Sequence, residues 1–263
     1  MDLHLTNHTA LVTGSTAGIG LAIAKVLAAE GAAVCINGRT ADRVANAIST
    51  LKQQLGPKAD LRPLAADGST AAGCDAIVKV LPSVDILVNN LGIFEPKPFA
   101  EIPDADWERF FQTNVMSGVR LSRAYLPGML QRNRGRILFI SSESGVQIPA
   151  EMIHYGMTKS AQIAIARGMA ELTAGTAVTV NSILPGPTRS EGVDEFVAKL
   201  SGGQPFEEFE KEFFRSVRPT SLIKRFATVD EVAAAVAFIC SPIASAINGS
   251  ALRVEGGVLK SAF

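Results

Sequence analysis

The 263-residue sequence is short of several things at once, and each shortage removes a class of function. It holds three cysteines, Cys35, Cys74 and Cys240, far apart and without CxxC spacing. An odd, scattered set excludes a disulfide framework or a paired-cysteine zinc site, and reads as small buried hydrophobes in a reducing compartment. The three histidines, His4, His8 and His154, form no ligand pattern with nearby acids, so no metal is expected. Charge of one sign is also lacking: Lys plus Arg and Asp plus Glu number 25 each. Without a basic excess, neither nucleic acid nor an anionic membrane is expected as partner. No apolar run approaches the roughly 18 residues of a membrane span. The N-terminus, MDLHLTNHTALVTG, lacks the charged and apolar regions of a secretion signal. These absences lead to the expectation of a cytoplasmic globular protein.

What is present is a steady alternation. Short β-branched runs at 9–13, 32–36, 61–66, 85–90, 135–142, 177–184 and 249–257 are separated by Ala-rich helical segments. Thr40 and Ser69 are read as openers of the second and third helical segments, and Thr228 with Glu231 forms a capping box. Strand–helix alternation predicts an α/β fold, a doubly wound parallel sheet of about seven strands with helices on both faces. No repeat or linker divides it, so residues 1–263 are read as one domain.

The first strand runs into TGSTAGIG, residues 13–20, with Gly14, Gly18 and Gly20 where strand turns to helix. Residues without Cβ permit positive φ and let backbone approach a pyrophosphate, and the helix N-terminus offers unpaired N–H groups to that anion. A tight turn without ligand fits the same letters. At the end of the second strand, INGRT places Gly38 where a carboxylate would bind an adenosine ribose. Arg39 follows, with a guanidinium suited to a 2′-phosphate, unless it is only a surface residue of the loop. NADP(H) is therefore expected ahead of NAD(H).

Only two tyrosines occur, and Tyr155 stands four before Lys159 in HYGMTKS. That spacing puts both on one helix face. It does not by itself separate a solvated surface from a proton-transfer pair. The full set does: TGSTAGIG, NNLG (89–92), Asn114, Ser142, Tyr155-x-x-x-Lys159 and LPGPT (184–188) stand in the order of the short-chain dehydrogenase/reductase family. The chain resembles that family from Leu11 to Gly257. Two departures are Leu91 where the family usually has Ala, and Glu255 where many members carry Asp.

The resemblance implies a Rossmann fold and a role for each residue. Tyr155 would be the general acid, or the base in reverse. Lys159 would lower its pKa and hold the nicotinamide ribose. Ser142 would hydrogen-bond the substrate oxygen, with Ser141 facing the other way by strand alternation. Asn114, disfavoured mid-helix, would sit at a helix distortion that lets a water reach Lys159. Gly14, Ser15, Thr16, Ala17, Gly18, Ile19, Gly20, Arg39, Asp67, Gly68, Asn89, Asn90, Leu91, Gly92, Pro185, Gly186 and Thr188 would line the cofactor, and Asn181 would be structural. The reaction implied is hydride transfer between NADP(H) and a carbonyl or secondary alcohol, by an enzyme that is a homotetramer. The tetramer would pair through 104–130, 153–173 and 228–257, with Ala161, Ala164 and Gly168 allowing close approach. Alternatives are a 3-oxoacyl-carrier-protein reductase, an NAD-dependent alcohol dehydrogenase, or a nucleotide-binding regulator on the same fold.

Residues 189–218 are too long for an ordinary connection and are read as a substrate lid. Phe206, Phe209 and Phe213 lie at i, i+3, i+7, an apolar stripe facing either an apolar or aromatic substrate or simply the protein body. Ser201-Gly202-Gly203 would be the hinge. Phe94, Gln147, Met152 and His154 would complete the pocket.

Overall fold

The computed structural model describes residues 2–193, 197 and 205–262. The strands are β1 (Thr9–Val12), β2 (Ala33–Gly38), β3 (Leu61–Ala65), β4 (Ile86–Asn89), β5 (Gly135–Ile140), β6 (Val178–Pro185), β7 (Thr188–Arg189), β8 (Ala227–Thr228) and β9 (Ala251–Val254). Seven of them form one sheet, ordered β3-β2-β1-β4-β5-β6-β9, and every neighbouring pair is parallel. β7 and β8 make a small parallel pair of their own. Pro63 cannot donate to a ladder, and it sits in the edge strand β3. The strand order reverses between β1 and β4, which opens a crevice at their C-terminal ends. Register fixes that edge: Val12 lies beside Ile36 and Val88, and Asn89 beside Phe139.

Helices cover both faces because neighbouring strand residues point to opposite sides. Ala10 and Val12 join one core with α1 (Gly18–Ala29), α2 (Ala41–Leu55) and α8 (Val229–Cys240). Leu11 joins the other, with α3 (Ala71–Val80), α5 (Ser117–Gln131) and α6 (Ile153–Glu171). α4 (Asp104–Phe110) runs into α5 through a π-helical turn at Phe111–Met116. α7 (Phe206–Ser216) lies in the long connection after β7.

The expected caps are found at Thr40, whose hydroxyl accepts from the Arg43 amide, and at Thr228 with Glu231. The third is displaced by one residue. Thr70 caps α3, accepting from the Gly73 amide at 3.0 Å, because Ser69 is already committed through its amide and hydroxyl to the Asp67 carboxylate. Cys35, Cys74 and Cys240 are buried free thiols, as expected, and burial pushes the Cys240 thiol up to about 12. No helix among the described residues is long and apolar enough to cross a membrane.

Leu87 is fully buried at the sheet centre, whereas Val80 is 70% exposed. Leu87→Ala should cost about 2–5 kcal/mol in a denaturant melt, from lost burial plus the cavity left behind. Val80→Ala should stay within about 0.5 kcal/mol.

Candidate active site

The crevice is laced shut by one side chain. Asn90, just past β4, donates its amide to the carbonyls of Thr13 and Gly14, at 2.9 and 3.2 Å. The Thr13 hydroxyl accepts from the Asn90 and Leu91 amides, at 3.0 Å each. This packing explains the glycines. Gly14 and Gly18 have φ of 62° and 56°, and a Cβ at Gly20 would lie 2.5 Å from both Asn90 Nδ2 and the Gly14 carbonyl. Leu91 fits without disturbance, since it packs against Gly14 and Gly68. α1 begins after Ala17 with no side-chain cap, so Ile19 and Gly20 belong to a first turn free to receive an anion. A dinucleotide phosphate chain fits this cradle.

Asn37 escaped the sequence reading. It accepts from the Gly14 amide and donates to the Leu64 and Ala66 carbonyls, while its own amide donates to the Ser15 hydroxyl. Its signal was a polar residue inside an otherwise apolar strand. Arg39 stands exposed just after β2. At Gly38 a Cβ would meet the Thr16 methyl at 2.5 Å, so a carboxylate there requires Thr16 to turn aside. Asp67 holds its own loop through one oxygen, Oδ1, which accepts from the Ser69 amide and hydroxyl. Asn89 departs from expectation: it is buried in β4 and donates to Ser122 of α5, away from the crevice.

β5 and α6 bring Ser142, Tyr155 and Lys159 together. The Ser141 hydroxyl is taken up by the Lys159 carbonyl, to which it donates at 2.8 Å, on the opposite side of the strand from Ser142. Ser142 faces a cavity of about 270 Å³ that Tyr155 and Lys159 also line. Lys159 is buried, donates to the Ile140 carbonyl at 2.8 Å, and lies 5.5 Å from the centre of the Tyr155 ring. Burial brings its pKa down to about 7. Burial likewise raises the Tyr155 phenol, against the pull of a hydrogen bond to Ser142; Glu143 raises it further and Arg218 opposes. The expectation that Lys159 lowers the Tyr155 pKa is not met here. The ammonium lies over the ring face and donates to the Ile140 carbonyl, and the charges acting on the hydroxyl are Glu143 and Arg218.

The helix distortion expected at Asn114 is the π turn. Its amide group is fully used, accepting from the Ile93 amide at 2.8 Å and donating to the Ile93 carbonyl and the Thr158 hydroxyl, at 3.0 Å each. Its carbonyl accepts from Gln162 at 2.6 Å. Asn114 thus pins α6 one residue before Lys159, and Gly92 passes beside both. Beyond β6, Pro185 and Gly186 follow the same edge. Glycine is required at 186 because a Cβ would lie 2.6 Å from the Glu255 carbonyl. Thr188 donates back to the Gly186 carbonyl, and Asn181 bridges Ile247 and Ser250 as a structural residue. Glu255 receives Arg253 and the Leu259 amide, tying down the C-terminal tail.

Phe94 and Met152 line the cavity as expected; Gln147 and His154 do not. Gln147 is exposed. His154 is fully buried on the far side of α6, its ring 4.1 Å from that of Phe110 and 6.0 Å from that of Trp107, with burial lowering its pKa. In α7, Phe209 and Phe213 both line the cavity and stack together, and Phe213 packs at a tilt against Phe226. The stripe thus both lines the cavity and packs on the body through Phe226. The proposed hinge, 201–203, lies outside the described residues.

Glu143 and Arg218 were missed altogether. The Ser142 hydroxyl donates to Glu143 at 2.5 Å, which uses its only proton, and the other Glu143 oxygen accepts from Arg218 at 3.0 Å. Ser142 can donate to a substrate oxygen only by rotating away from Glu143. A glutamate next to the motif serine was the available signal.

The model of short chain dehydrogenases matches residues 8–201. The chain is 50% identical over 265 residues to the uncharacterized oxidoreductase YvaG of Bacillus subtilis (strain 168), covering 100% of both. It is 32% identical to the 3-oxoacyl-[acyl-carrier-protein] reductase FabG of Aquifex aeolicus, covering 98% of this chain and 100% of that one. The crystal structure of L-sorbose reductase from Gluconobacter frateurii, complexed with NADPH and L-sorbose, superposes with a TM-score of 0.91 at 33% identity, covering 99% and 100%. The Rossmann-like sheet and the family motifs thus belong together, and the chain is an oxidoreductase of the short chain dehydrogenase family.

Proposed function

We propose that this enzyme transfers a hydride between NADP(H) and a small carbonyl or secondary alcohol, with Tyr155 as general acid or base. The observation that carries this reading is the meeting of Tyr155, Ser142 and Lys159 in one cavity beside the glycine cradle. When bound, the nicotinamide supplies or accepts the hydride. In reduction Tyr155 gives its hydroxyl proton to the substrate oxygen; in oxidation it takes that proton back. Ser142 and the Phe94, Met152, Phe209 and Phe213 walls orient the carbonyl and suit an apolar body. Lys159, buried beneath the ring, is placed to hold the ribose hydroxyls, and Asn114 fixes its helix.

NADP(H) is favoured by the absence of an acid at Gly38 and the exposed guanidinium of Arg39, and the L-sorbose reductase complexed with NADPH supports it. An acidic carrier-protein partner is less well served. Arg134 pairs with Asp85, and the buried Arg136 donates to the Gly135 and Ala177 carbonyls at the opposite end of the sheet.

Tyr155→Phe keeps the ring and removes the proton. Turnover of NADPH should fall by about 100-fold or more, while fluorescence titration still shows cofactor binding; near wild-type turnover contradicts the assignment. Arg39→Ala should weaken NADPH by about tenfold or more and leave NADH nearly unchanged. Equal losses for both cofactors would remove Arg39 from the selection.

The buried lysine also sets a pH dependence. Its pKa is about 7 when folded against an ordinary 10.5, so the full cost of burying the charge is felt below about 7. Between these values the unfolded chain holds a proton that the folded chain has lost. Stability contributed at this site therefore rises with pH across that window, by about 1.4 kcal/mol per unit. Denaturant melts at pH 7 and 9 should show wild type gaining on Lys159→Met. A constant gap between the two proteins contradicts the account.

A further inference from the structure

A guanidinium beside two phenylalanines is an unusual wall for a cavity. Arg218 lines this one, together with Phe209 and Phe213, and its side chain is 9% exposed. A buried ion pair is weak evidence for stability, since an apolar replacement is often as good. The hydrogen bonds indicate another use. Arg218 Nε donates to Glu143 Oε1 at 3.0 Å, and Nη1 donates to the Val217 carbonyl at 3.1 Å and to Glu151 at 3.4 Å. The remaining nitrogen, Nη2, has no partner among the described residues. A guanidinium carries five N–H donors in a rigid fork, so two of them stay open on a side chain that is otherwise held fast. The far side of the same pair holds Ser142: Glu143 Oε2 accepts from the Ser142 hydroxyl, the Ser144 amide and the Ser144 hydroxyl. Arg218 is thus fixed relative to the serine beside the reacting carbonyl.

We propose that Arg218 is a specificity-determining residue that donates from Nη2 to a second, uncharged oxygen of the substrate, a hydroxyl carried next to or near the reacting carbonyl. This rests on the carbonyl-reduction reading above and narrows it. Two carboxylates, Glu143 and Glu151, face the one guanidinium. The cluster therefore has no positive charge to spare, and a substrate carboxylate is disfavoured where a neutral acceptor is welcome. The substrate class is a neutral hydroxycarbonyl compound whose carbon skeleton lies against the aromatic walls. A ketone without the second oxygen leaves the donors of Nη2 desolvated and unpaired, a loss that costs more than a missing apolar contact.

The test compares kcat/KM with saturating NADPH for matched ketones: hydroxyacetone against acetone, 2-hydroxyacetophenone against acetophenone, and benzoylformate as the carboxylate case. A neighbouring hydroxyl also activates a carbonyl, so the deciding quantity is how the hydroxyketone-to-ketone ratio changes with the side chain. A ratio taken on one enzyme is insensitive to the fraction folded. Arg218→Met should lower the ratio about tenfold or more. Arg218→Lys, which keeps a donor without the fork, should fall between Met and wild type and serves if the Met variant does not fold. Glu143→Gln, which loosens Arg218 without removing it, should also lower the ratio. An unchanged ratio in both Arg218 variants, or wild-type preference for benzoylformate over 2-hydroxyacetophenone, overturns the proposal and leaves carbonyl reduction standing. If wild type reduces no member of the panel, the carbonyl-reduction reading fails and this proposal falls with it.

Discussion

Everything at the site depends on the hold that Asn90 has on the end of β1. Parallel strands finish at one edge, and where the strand order reverses between β1 and β4 that edge gapes. The Asn90 amide closes the gap by donating to Thr13 and Gly14, and the Thr13 hydroxyl returns the grip through two backbone amides. This brings the β4 loop so near α1 that no side chain fits at Gly20. The same approach sets Gly92 beside Lys159 and Asn114. The glycine turn and the Tyr155–Lys159 pair are thereby parts of one edge rather than two neighbouring features.

On that edge the protein spends electrostatic free energy. Lys159 is buried with one carbonyl for company, and Tyr155 is pushed toward its neutral form by the same burial. Burial keeps the phenol protonated, the form that the general-acid role proposed above requires. The Glu143–Arg218 pair reaches the hydroxyl from the other side, through Ser142. Mechanical support comes from Asn114, whose π turn spends a regular helix segment to anchor Ile93 and Thr158.

Strand–helix alternation and the glycine turn were legible because they follow local rules: periodicity, caps and positive φ. Seven parallel strands and the caps at Thr40 and Thr228 followed from them. The cap at Thr70 did not, because Ser69 and Thr70 are equivalent in sequence until Asp67 claims one of them. Asn89 and His154 were misplaced for a related reason. Their neighbours Asn90 and Tyr155 face the crevice, and which of two adjacent residues does so depends on register and helix phase. Asn37 and Glu143 left only a local hint in the sequence and Arg218 none, because their meaning lies in partners far along the chain, 75 residues apart for Glu143 and Arg218.

The central claim is that the glycine cradle and Tyr155 serve a single hydride-transfer site. Its most direct test is reduction of a carbonyl substrate with NADPH carrying deuterium at the transferable position of nicotinamide C4, followed by mass spectrometry of the alcohol. The account predicts one deuterium on the carbinol carbon and, with unlabelled NADPH in heavy water, none there. Label arriving at that carbon from solvent, or an unlabelled product from labelled NADPH, would contradict it.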